Sequence, residues 1–131
     1  MVLINFSRIF YWPIIIFILC GGCHVDTYDK KETARLQIEI LCAGLEDYKQ
    51  DVGHYPDTEE GLDALINNPK AAVGWQGPYL SKNIPKDPWN REYRYIRNEE
   101  KKMFELYSLG KDGQKGGDGE NEDLGSVKCA N

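Results

Sequence analysis

The sequence predicts an α+β domain: a long N-terminal helix packed on a small antiparallel sheet, followed by a loop suited to hold a cation near the C-terminus. Three observations predict it. Apolar residues recur at helical spacing over residues 34–52. Two segments, 91–97 and 103–109, alternate apolar and polar positions on either side of the five residues NEEKK. Then residues 106–124, LYSLGKDGQKGGDGENEDL, combine five glycines with Asp112, Asp118, Glu120, Asn121, Glu122 and Asp123. Such a composition buries too little to hold itself as a packed helix or a central strand. A hard cation with oxygen ligands is the candidate staple.

A chain of 131 residues suggests a single domain. Its formal charge of −5 and pI near 5.0 argue against a nucleic-acid partner, which would require a basic face. The basic residues are scattered, apart from the pairs Lys30-Lys31 and Lys101-Lys102. Aromatic side chains suffice for a small core, and a domain this small gains from a metal or a disulfide.

Residues 1–22 carry Arg8 as their only charge, and residues 9–20 are almost wholly apolar. That apolar run is about 18 Å long as a helix, short of the ~30 Å hydrocarbon core, and suits a secretory signal. Its end, Leu19-Cys20-Gly21-Gly22-Cys23, resembles a bacterial lipobox, with Cys20 where an aliphatic residue is usual. Three routes stay open: lipidation at Cys23, an uncleaved anchor, and ordinary cleavage. Each carries the remainder of the chain out of the cytoplasm. Residues 23–31 read as a tether and 32–131 as the domain.

Ala34, Ile38, Leu41, Leu45, Tyr48 and Val52 form one stripe on a helix that starts near Glu32. Asp29 or Thr33 is placed to cap it, and Gly53 to end it. The stripe reads as core against the sheet, with a seam for a partner helix as the alternative. Gly53-His54-Tyr55-Pro56 is a turn. Residues 58–68 read as a second, short helix, with Glu59 and Glu60 at its positive end. His54 lacks a partner at ligand spacing and reads as a turn residue. Residues 70–90 form a loop pinned by Trp75, Tyr79, Leu80 and Trp89. In the hairpin that follows, Tyr93 and Tyr95 share one face, as do Phe104, Leu106 and Ser108.

Cys42 and Cys129 are the two cysteines of the domain. In an exported protein they permit one bridge, with two unpaired thiols as the alternative. Closing so long a loop would stabilise by up to roughly 4–5 kcal/mol in the chain-entropy model. Residues 106–124 lack the order of an EF-hand loop and contain only one near-copy of a glycine-rich nonapeptide repeat. Few histidines and no nucleophile motif argue against an enzyme.

Several ordered motifs together carry a resemblance. They are Leu45-Glu46-Asp47-Tyr48-Lys49-Gln50-Asp51-Val52-Gly53-His54-Tyr55-Pro56-Asp57-Thr58-Glu59-Glu60-Gly61-Leu62-Asp63-Ala64-Leu65, Gly77-Pro78-Tyr79-Leu80 and Pro85-Lys86-Asp87-Pro88-Trp89. Tyr107-Ser108-Leu109-Gly110-Lys111-Asp112-Gly113 and Gly116-Gly117-Asp118-Gly119-Glu120-Asn121-Glu122-Asp123-Leu124 complete the set. Over residues 32–126 the chain resembles the soluble domain of the major pseudopilin of type II secretion systems. The resemblance implies a pseudopilin-like fold with a calcium-binding C-terminal loop. It implies the Leu109 carbonyl, the Asp112 and Asp123 carboxylates and a backbone carbonyl such as that of Ser126 as Ca2+ ligands. It also implies a non-enzymatic role beside other secretion-system pseudopilins or envelope proteins, in the periplasm and tied to a membrane. Family members carry a basic leader ending in Gly, then Phe-Thr-Leu-Ile-Glu; this chain has no such motif and no acidic residue before Asp26. The alternative is a lipid-anchored envelope protein that uses the same fold as an accessory or partner-binding module.

Overall fold

The computed structural model describes residues 29–81 and 83–126. Helix α1, Lys30–Val52, begins two residues before the expected Glu32 because Asp29 takes the cap. Its Oδ1 accepts the Lys31 N–H at 3.0 Å, satisfying one of the free donors of the first turn. Gly53, at φ 91°, closes the helix as a left-handed cap and donates its N–H to the Lys49 carbonyl at 2.8 Å. The predicted stripe is the buried face: Ala34, Ile38, Leu41, Leu45 and Tyr48 are at most 4% exposed, and Val52 packs at the core margin.

That face lies on a three-stranded antiparallel sheet of β1 (Arg94–Asn98), β2 (Met103–Ser108) and β3 (Leu124–Ser126), in the order β1-β2-β3. Arg94 pairs with Tyr107 and Asn98 with Met103, so the NEEKK segment is the hairpin turn as expected, apart from Asn98 joining the strand. The two-residue period puts Tyr95, Phe104, Leu106 and Ser108 inward, with Arg94 and Glu105 outward. Phe104 meets the edge of the Tyr55 ring at 4.7 Å. Two buried phenols reach acceptors: Tyr95 donates to the Pro56 carbonyl at 2.8 Å and Tyr93 to Gln37 Oε1 at 2.6 Å.

Two elements differ from expectation. Residues 58–68 form no α-helix; a turn is followed by the 3-10 helix Gly61–Leu65, because Gly61 adopts φ +59° and breaks the helical path. Leu62, Ala64 and Leu65 still reach the core. Strand β3 was not expected as a separate element. The middle loop is ordered by its aromatics: Trp75 donates to the Ala64 carbonyl at 2.9 Å and Tyr79 to Asp51 Oδ2 at 2.9 Å.

Candidate metal centre

The glycine- and acid-rich stretch connects β2 to β3. Ser108 pairs with Leu124 at its neck. Inside, the Lys111 N–H donates to the Glu120 carbonyl at 2.9 Å, and a 3-10 turn, Gly119–Asn121, reverses the chain. Two glycines are required by close approach. At Gly110 (φ +63°) a Cβ would lie 2.8 Å from the Glu122 carbonyl oxygen; at Gly117 (φ +87°) it would lie 2.7 Å from that of Asn121. The two sides of the loop therefore press backbone on backbone, which only residues without side chains permit.

Asp123 immediately precedes β3 and is half-buried. Its Oδ2 accepts the Gly116 N–H at 2.9 Å, whereas its Oδ1 is buried with no hydrogen-bond partner among the described residues. The residue borders a cleft of about 370 Å³ shared with Arg35, Ile38, Glu39 and Glu122. Asp112 is exposed, and its Oδ1 accepts the Gln114 N–H at 3.0 Å. Leu109 is the first residue after β2, and Ser126 is the last of β3, paired with Leu106. All four residues expected as ligands thus belong to this loop or the strand that closes it.

Among the described residues, no group of three or more His, Cys, Asp or Glu side chains gathers around a metal-sized space. A cation here would draw on backbone carbonyls as much as on carboxylates. The chemistry of the donors fits a hard ion. A buried carboxylate oxygen without a donor is costly unless a cation meets it, and glycine-rich backbone lets carbonyls turn inward. Two of the other acids are engaged elsewhere. Glu120 pairs with Lys111 at 2.6 Å and Glu122 with Lys31 at 2.5 Å. Hydrogen bonds from those lysines hold both carboxyls below the usual range. Both glutamates are exposed, so each pair contributes little to stability.

The neck of the loop rests on a buried polar cluster that sequence reasoning missed. Asp87 is 3% exposed and Ser108 is fully buried. Asp87 Oδ1 accepts the Arg91 N–H at 2.7 Å and the Trp89 N–H at 3.1 Å, and Oδ2 accepts the Ser108 hydroxyl. Ser108 Oγ in turn accepts the Gly110 N–H at 3.1 Å. The available signal was the polar Ser108 on the otherwise apolar face of β2. Cys42 is buried at the edge of the α1 stripe. Cys129 and the lipidation candidate Cys23 lie outside the described residues.

Residues 25–127 match the family model described as type II secretion system (T2SS), protein G. The chain belongs to the type II secretion system protein G family. Two relatives, each named type II secretion system core protein G, are 37% identical to it. The one from Pseudomonas aeruginosa aligns over 74% of this chain and 70% of its own length. The one from Vibrio cholerae aligns over 73% and 67%. The fold also matches the crystal structure of the major pseudopilin from the type 2 secretion system of enterohaemorrhagic Escherichia coli. That match has a TM-score of 0.63 and 25% identity, over 78% of this chain and 86% of the other. Protein G relatives are core components of a secretion machine, a structural role rather than an enzymatic one, and membership associates the chain with the cell envelope. No helix among the described residues is long and apolar enough to cross a membrane.

Proposed function

We propose that the chain is a non-enzymatic pseudopilin-type subunit of type II protein secretion, acting in the periplasm beside other pseudopilins, with a C-terminal loop closed by Ca2+. The observation that carries the calcium reading is Asp123 Oδ1, a buried carboxylate oxygen with no donor beside it among the described residues. The Leu109 carbonyl, the Asp112 and Asp123 carboxylates and the Ser126 carbonyl would hold the ion. Its charge would offset the repulsion of the acidic loop and fix the neck of β3 against β2.

The test is thermal unfolding of the domain with calcium and with chelator. Saturation about a hundredfold above the dissociation constant stabilises by about 2.7 kcal/mol, which for a domain of this size raises the Tm by on the order of 10 °C. Asp112→Ala and Asp123→Ala are each expected to abolish that rise. A wild-type Tm that chelator leaves unchanged would sink the reading.

A further inference from the structure

The calcium reading leaves Asp87, Ser108 and Arg91 without a role, although Asp87 and Ser108 are the buried polar side chains among the described residues. Asp87 lies 21 residues before Ser108 in the chain, and the two meet at the point where β2 gives way to the loop. The Ser108 hydroxyl has one hydrogen, which goes to Asp87 Oδ2, leaving the oxygen lone pairs free to accept the Gly110 N–H. The Gly110 carbonyl, at the other end of the same residue, accepts from Arg91 Nη1 at 3.5 Å. Arg91 is itself fixed to Asp87, donating its N–H to Oδ1 and accepting the Asp87 N–H on its carbonyl at 2.8 Å. Both peptide groups that flank Gly110 are therefore tied to the segment around Asp87.

One of those peptide groups carries a second atom that matters. The Gly110 N–H and the Leu109 C=O belong to one planar trans unit, so fixing the direction of the first fixes the second, on the opposite side. From this geometry we infer that Asp87 is a positioning residue for the metal loop. Acting through Ser108, it sets the direction of the Leu109 carbonyl, so that this ligand is in place before a cation arrives. The inference rests on the calcium reading. It assigns the Asp87 segment the work of pre-orienting a ligand it does not itself supply, as groups that hydrogen-bond metal ligands do in metal sites generally.

The experiment measures calcium binding by titration calorimetry with Ca2+ alone, at a temperature where every variant is folded. Ser108→Ala removes the relay. Asp87→Asn keeps the shape and turns one acceptor into a donor. Leu65→Val, in the fully buried core away from the loop, is the control for simple loss of stability. Ser108→Ala and Asp87→Asn are expected to weaken calcium binding by about tenfold or more, while Leu65→Val lowers the Tm and leaves affinity as in wild type. Wild-type affinity in Ser108→Ala would overturn the proposal. A second readout needs no variant: in the calcium-free wild type, the Gly110 amide is expected to resist hydrogen exchange far more than the Gly119 amide. Equal exchange at the two would overturn it as well. Wild type that binds no calcium removes the proposal together with its parent reading, and Gly110 protection distinguishes that failure from failure of the relay itself.

Discussion

The hydroxyl of Tyr48 is buried in the core without a hydrogen-bond partner among the described residues. Burial, with Glu60 and Asp57 adding negative charge, pushes its pKa up to about 12. An unpaired buried hydroxyl is a cost that Phe does not carry. Tyr48→Phe is expected to leave stability unchanged or raise it by up to about 1 kcal/mol in urea unfolding; a loss larger than that would show the hydroxyl to be engaged. Tyr48 was legible as a core position because helical periodicity names it directly. The composition of the loop names Asp123 only as one of six candidates, and the family resemblance is what singles it out. Asp87 was not: an Asp between two prolines reads as a turn residue, and its decisive partner comes from a strand 21 residues further on. Local sequence reports what a residue does to its own backbone, and Asp87 acts on another segment.

Elements with long, periodic patterns were legible to within three residues at each boundary, as α1 and the β1–β2 hairpin show. Residues 58–68 kept their buried side chains but not their helix type. Apolar spacing in so short a stretch fits either helix, and the left-handed turn at Gly61 decides between them. Strand β3 has only three residues and no alternation to detect; it is a strand because β2 offers an edge to pair with. The same tail bears on α1. We propose that Cys42, on α1, bridges to Cys129, just beyond β3. Reduction is then expected to lower stability by about 2–4 kcal/mol, with the Cys42 thiol protected from alkylating reagent until a reductant is added. Prompt alkylation of both cysteines in the native, unreduced protein would dispose of the bridge.

At the scale of the molecule, the tyrosines set the upper pH limit. Burial raises the pKa of Tyr93, Tyr95 and Tyr55, and Tyr79 is raised as well. Unfolded, each would titrate near 10.0. Above that pH the unfolded chain releases protons that the folded chain retains, so the stability from these groups is complete below pH 10 and declines as pH rises toward the folded values. Scans of Tm against pH should be level on the alkaline side until about pH 10, then fall, with phenolate absorbance from these residues appearing together with unfolding. Phenolate signal from all of them at pH 10 in a folded protein would contradict this. The packing of α1 against β3 sets a further limit, on the order in which the domain forms. The ribosome makes α1 before β3, whose first residue Leu124 follows the last residue of α1, Val52, by about 70 residues, so the face of α1 that β3 covers has no partner until β3 is made. A nascent chain of this build stays open while it is being made, which is the state in which a polypeptide can be threaded across a membrane.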